Sequence, residues 1–277
     1  MPHLRPAERV VAGGIAWRIH RERVLLAGWG RAILLQLAHP MVACGVAQHS
    51  RFTTEPWGRI RRLHRTLSAM LALTFGSREE AAAAAARINA IHDRVHGRLE
   101  GPAGGMGPGA AYSAHDPELL AWVHATLVDS FLLTHRLFVE PVPAPLADRY
   151  CAESAGIEVA LGIPAGRLPR TEAELREYVD AMLASGVIEV TDTARRLARE
   201  IVAPPAPWPV RPALWLAALP AVGLLPAEIR AAYGLRWNPH RERALRAAVA
   251  ATRAVLPLVP PVLRYWAVAR RAEGARP

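Results

Sequence analysis

The stretch Ser77-Arg78-Glu79-Glu80-Ala81-Ala82-Ala83-Ala84-Ala85-Ala86-Arg87-Ile88-Asn89-Ala90-Ile91-His92-Asp93-Arg94-Val95-His96-Gly97 decides the reading of the fold. Serine followed three residues later by glutamate is a capping box, in which each side chain accepts from the other residue's backbone N–H. The six alanines that follow have the strongest intrinsic helix preference. The pattern predicts a helix from this box to about Gly97. Thr171-Glu172-Ala173-Glu174 is a second box, opening a helix to about Ser185. Asp116-Pro117-Glu118 pairs an N-cap with proline at the first helical position. The helix it opens carries Leu120, Val123, Leu127 and Phe131 on one face, the spacing of an amphipathic core helix. No stretch alternates with period 2 for long enough to read as a strand. The expected fold is all-α.

The chain has 277 residues, 52% hydrophobic and 21% charged, a composition that describes a globular protein. Its formal net charge is +10, carried wholly by arginine because lysine is absent. The arginines are scattered and form no basic run interleaved with aromatics, which argues against nucleic acid as a partner. Attraction to an anionic membrane surface stays as a lesser reading. Two cysteines, Cys44 and Cys151, are too few for a disulfide framework. No Cys-x-x-Cys-His is present, which excludes covalent attachment of a c-type haem. The opening Met-Pro-His-Leu-Arg-Pro lacks a secretory pattern, so a cytoplasmic location is expected. The longest apolar stretch, Val24 to Ala47, is broken by Arg31, His39 and Pro40 and reads as a buried helix pair rather than a membrane span.

Two loops punctuate the chain. Gly101 to Gly109 reads as a flexible connection or lid, and 203–212 is rich in proline. The division that follows is a body over 10–202, a connection over 203–212 and carboxy-terminal helices over 213–272, all within one domain. The last segment carries Trp215, Leu216, Leu224 and Leu225 and is expected to pack back on the body.

Polar groups interrupt these apolar helices, and burying such groups without partners is costly. His92 follows Ile88 and precedes Val95 and Leu99 at helical spacing, so it points where core side chains point. It reads either as a hydrogen-bonded core histidine or as a metal or haem ligand. His92-Asp93-Arg94-Val95-His96 also has the i, i+4 spacing of zinc hydrolases, with Asp93 in the place of the general base. Arg59, Arg62 and Thr66 form a stripe that is either a solvated basic face or a set of partners for carboxylates and bound oxygen species. His39 and His49 stand at helix boundaries, where each either caps a helix end or meets a ligand. His124 and Asp129 read as satisfied core groups.

Read in order, these motifs carry a resemblance. Arg31…Leu34-Leu35-Gln36-Leu37-Ala38-His39-Pro40 is followed by Gly45-Val46-Ala47-Gln48-His49-Ser50, then Arg62-x-x-Arg65-Thr66, then His92-x-x-Val95-x-Gly97. Asp116-Pro117-x-Leu119-x-x-Trp122-Val123-His124-x-Thr126-Leu127 comes next, and the likeness runs through Tyr233-Gly234-Leu235-x-Trp237. The set resembles the MpaB-type oxygenase and rubber oxygenase (latex-clearing protein) catalytic domain family. The resemblance implies an all-helical domain enclosing one non-covalent b-type haem. It also implies cleavage of isoprenoid carbon–carbon double bonds with dioxygen as co-substrate, acting on polyisoprene in one type and on a prenyl side chain in the other.

By the same resemblance the proximal iron ligand maps onto His92, with His96 one helical turn away as the alternative. Arg62, Arg65 and Thr66 map onto the distal side as catalytic residues, while Arg59, His39 and His49 are placed around the cofactor. Two departures matter. Arg65 stands where rubber oxygenases carry a lysine that can cap iron, and a guanidinium that stays protonated is a poor ligand. The family's distal glutamate has no clear counterpart, Glu55 being the nearest acid. The rivals to an oxygenase are a haem-binding protein without turnover and a zinc hydrolase built on His92 and His96.

Overall fold

Gly28-Trp29-Gly30-Arg31 governs how the central helices meet. The computed structural model describes residues 13–49, 58–204 and 207–274, with the backbone alone at 58–63. The amino-terminal half contains α1 (Ile15–His20), α2 (Leu26–Leu37), α3 (Pro40–His49), α4 (Gly58–Phe75) and α5 (Arg78–His92). Two short strands follow, β1 (His96–Arg98) and β2 (Ala111–Ser113), and then α6 (Pro117–Phe138), α7 (Ala144–Ala155), α8 (Glu172–Ala184) and α9 (Asp192–Val202). The carboxy-terminal part holds α10 (Arg211–Gly223), α11 (Ala227–Ala232), α12 (Pro239–Val255), α13 (Pro261–Arg264) and α14 (Ala267–Gly274). The all-α expectation holds apart from the two strands, which are three residues each and too short to show an alternation.

Helix α2 lies between α6 and α10. On one side a Cβ at Gly28 would collide with the Thr134 hydroxyl and stand 2.9 Å from the Ser130 carbonyl oxygen of α6. On the other, a Cβ at Gly30 would stand 2.6 Å from the Ala221 methyl of α10. Arg31, only 6% exposed, then ties both neighbours. Its guanidinium donates to Asp129 Oδ2 at 2.6 Å, to Ser130 Oγ at 2.7 Å and to the Leu224 carbonyl at 2.7 Å. Asp129 is therefore a paired core group, as expected.

Helix α6 departs from the expected amphipathic pattern. Leu119, Trp122, Ala125, Val128, Phe131 and Leu132 are all buried, on several sides of the helix. The packing of α2, α8 and α12 around it explains why one apolar stripe does not describe it. Both capping boxes form: Glu80 N–H donates to Ser77 Oγ at 3.2 Å, and Glu174 N–H donates to Thr171 Oγ1 at 3.2 Å. The Gly101–Gly109 loop is pinned rather than loose. Ala103 and Met106 pair across it, and Gly104, at φ +59°, donates its N–H to Glu189 at 2.6 Å.

Pro40 opens α3 at a corner that bends the chain by 104° from α2. No single described helix is long and apolar enough to cross a membrane. Of the carboxy-terminal residues expected to pack back, Leu225 is buried, but Trp215 and Leu216 face outward at 45% and 52% exposure.

Three histidines lie in the core, of which the sequence pattern singled out His124 alone. His20 on α1 meets the Tyr150 hydroxyl at 3.0 Å and Thr74 Oγ1 at 3.3 Å. Burial, with His124 and His135 nearby, lowers its pKa to about 3. His124 and His135 on α6 are each lowered to about 4, burial again being the main cause. His124 Nε2 and His135 Nδ1 have no hydrogen-bond partner among the described residues, so the expectation of a satisfied core group holds only in part for His124.

Gly28→Ala is expected to lower stability by about 2 kcal/mol, because neither the Ser130 backbone nor the Thr134 side chain can yield without cost. A urea melt would measure this. The buried histidines set a pH dependence with a definite sign. Their folded pKa values lie below the ordinary value, so the unfolded chain takes up protons first and stability falls as pH drops below about 6.5. Each is expected to cost roughly 2 kcal/mol at pH 5. His20→Gln would flatten the urea-midpoint profile between about pH 7 and 5.

Candidate functional site

Helices α4 and α5 form an antiparallel hairpin whose turn is Gly76-Ser77. At about 1.5 Å per residue, Arg62 and His92 each stand about 20 Å along their helix from that turn. Helix α5 stops at His92, five residues before the predicted end. Asp93 caps it, and Val95 N–H returns to the His92 carbonyl at 2.9 Å. The chain then turns into β1, which pairs antiparallel with β2, Gly97 facing Tyr112. A Cβ at Gly97 would stand 2.7 Å from the Tyr112 hydroxyl and 2.9 Å from Gln48 Oε1 of α3, so glycine is what lets β1 approach.

His92 sits half-buried at this junction, as do Ile88 one helical turn before it and Val95 beyond the end of α5. Its Nδ1 is buried with no hydrogen-bond partner among the described residues. The His115 ring lies edge-on to it, the centroids 5.7 Å apart at 80°. His115 Nε2 is in turn held by Asp93 Oδ1 at 2.7 Å. Burial first, and His115 second, push the His92 pKa down against the pull of Asp93. The ring is therefore neutral at neutral pH, the form that ligates a metal. His115 is the functional candidate that the sequence reading missed. Its only signal is its place directly before the Asp116 N-cap, which the fold brings to the end of α5.

The other expected residues are spread around this junction. His39 is buried at the α2–α3 corner, where its Nδ1 accepts the Met41 N–H at 3.2 Å and caps α3, and burial lowers its pKa to about 4. His49 is exposed at the far end of α3, where its Nε2 donates to the His96 carbonyl at 3.0 Å. Roughly 14 Å of helix separates these two histidines, so they do not meet one small group together. His39 takes the capping role that was one of its two readings, whereas His49 caps no helix and bonds across to β1, which neither of its readings named. Arg65 and Thr66 lie exposed on α4. Arg59 and Arg62 belong to the same helix, their side chains outside the described residues, and Glu55 lies outside the described residues altogether.

His96 occupies β1 rather than a helical turn after His92. The i, i+4 geometry of a zinc hydrolase is therefore absent, because the backbone reverses at 93–95 and splits the two histidines between elements. Among the described residues no three of His, Cys, Asp or Glu converge as a metal site. Two open clefts, one lined by Trp237, Asn238 and Arg246 and the other by Arg167, Pro169 and Tyr178, lie away from His92.

Comparison with curated proteins and comparison with solved structures each returned no match. Residues 17–254 do match a family description, the catalytic domain of "ER-bound oxygenase mpaB/B'/Rubber oxygenase". That span reaches from α1 to the last turn of α12 and takes in the hairpin, the strands and the His92 junction. The chain belongs to the MpaB and rubber oxygenase catalytic domain family.

Proposed function

We propose that this member of an oxygenase family is a haem b-dependent enzyme. Its substrate would be a hydrophobic, isoprenoid-type olefin, cleaved oxidatively at a carbon–carbon double bond. The observation that carries the reading is the buried Nδ1 of a neutral His92, which has no hydrogen-bond partner among the described residues. A buried polar atom without a partner is uncommon, and one on an imidazole has the lone pair an iron ion takes.

The residues present fit that group on the proximal side. His92 would supply the ligand, and His115, anchored by Asp93, would hold the imidazole plane by packing edge-on against it. A bound haem would supply the activation of dioxygen. The remaining chemistry belongs to the chain. Arg65, always protonated, cannot serve as a second iron ligand, so its role is to pair with an anionic group, as those of Arg59 and Arg62 would be. Thr66 would offer a hydroxyl to a polar oxygen beside the substrate. In the overall reaction both atoms of dioxygen end in products, one in each new carbonyl, and no external reductant is needed for the balance.

The first measurement is the absorption spectrum of the protein expressed with ample haem. A Soret band is expected, weakened or shifted in His92→Ala and retained in His96→Ala. A colourless wild type would overturn the reading. Incubation of the coloured protein with prenylated olefins then separates an oxygenase, which yields carbonyl products, from a haem protein that turns over none.

A further inference from the structure

We propose that one end of the helical bundle is a docking surface for an anionic lipid bilayer. The helix directions bring that end together. Helix α6 runs antiparallel to α2, with Thr134 opposite Gly28 and Val123 opposite Gln36. Helix α10 runs parallel to α2, with Leu219 and Ala27 in one cluster, Ala221 against Gly30, and Leu224 bonded to Arg31. In α12, Leu245 packs with Leu219 and Phe138, and its chain then continues into the turn Leu256–Leu258 and α13. Helix α13 is itself fastened to the start of α2: Arg264 bonds Glu22 at 2.6 Å, and Arg23 Nε donates to the Tyr265 carbonyl at 3.0 Å. The starts of α2 and α10, the end of α12, and α13 therefore share one end of the molecule.

Exposed apolar side chains collect there. Trp208, Trp215, Leu216, Val255, Leu258 and Leu263 all face solvent, with Leu258 at 82% and Trp208 at 79% exposure. Of the large hydrophobic side chains exposed among the described residues, only Ile91 and Val159 lie elsewhere. Clustering of this kind marks an interaction surface, whereas single exposed hydrophobics do not.

Charge identifies the occupant. Residues 207–277 contain eleven arginines, three glutamates and no aspartate, which places +8 of the net +10 in this segment. Carboxylates near this end are already paired: Glu22 with Arg264, Glu140 with Arg18, and Glu273 with Arg21. Arg253 remains exposed in the last turn of α12, whereas Arg246, two turns before it, is paired with Glu242 at 3.8 Å. Exposed tryptophans set among arginines suit a headgroup region, where the rings lie at the interface and the guanidinium groups reach anionic lipid. A second copy of the chain would bring two strongly positive faces together, which disfavours a symmetric dimer. Because no described helix is long and apolar enough to span, the contact is with the surface of the bilayer. This inference stands apart from the reaction proposed above.

Vesicle flotation tests it, using the full chain with phosphatidylcholine vesicles containing about 30% phosphatidylglycerol or none. The wild type is expected to float with the anionic vesicles and at least about tenfold less with the neutral ones. Trp208→Ser with Leu258→Ser should cut partitioning at least about tenfold while circular dichroism stays unchanged, since both side chains are almost fully exposed. Arg253→Glu, or about 0.5 M salt, should weaken binding similarly. Absence of flotation would overturn the proposal, as would equal flotation of the serine variant. A wild-type dimer that the serine pair turns into a monomer, with no vesicle binding, would make the face a subunit interface instead.

Discussion

Burial of the Arg31 guanidinium is the constraint from which the rest of the arrangement follows. Arginine cannot shed its charge, and an ion left unpaired in a core costs several kcal/mol. Its partners come from two helices: Asp129 and Ser130 of α6, and the carbonyl of Leu224 just past α10. Satisfying all three sets α2 in register with both neighbours, and the glycines at 28 and 30 provide the closeness. The position of α2 fixes the corner at His39-Pro40, and the corner aims α3 at the β-hairpin. Gln48 and His49 at the end of α3 hold Tyr112 and the His96 carbonyl, which is where α5 has ended at His92. The site is thus connected to the buried ion pair through four successive elements.

Much of this was legible in the sequence because caps are local. Ser77, Asp116 and Thr171 each announce a helix by a hydrogen bond that spans two or three residues, and all three form. What could not be read depends on neighbours distant in the chain. The helix after Ser77 stops early because β1 pairs with residues 111–113, and nothing within 92–97 records that partner. Helix α6 looked one-faced because periodicity reports contrast, whereas its burial is set by how many helices surround it. Trp215 and Leu216 looked like core because hydrophobicity alone does not say whether a covering element exists.

The site divides along the same line. His92 declared itself through its spacing from Ile88, and the structure leaves it half-buried with a nitrogen that has no partner among the described residues. His115 did not, since its approach to His92 and Asp93 spans more than twenty residues and a strand pairing. His39 and His49 had two readings each; the bond to Met41 shows the capping role for His39, while the bond of His49 to the His96 carbonyl fits neither of its readings. The family match over residues 17–254 sets all of these residues inside an oxygenase catalytic domain, which no single spacing does.

The alanine run of α5 has a mechanical consequence. A helix that docks through Ala84 and Ala85 removes little apolar surface from water, and the free energy holding a segment in place scales with that area. Although α4 is held by Phe75 against Trp17 and by Leu67 and Met70 against the main core, α5 itself is therefore fastened more loosely than the α2–α6–α10 core. Its backbone amides belong to the part of the molecule that opens and exchanges hydrogen first, while the core stays closed.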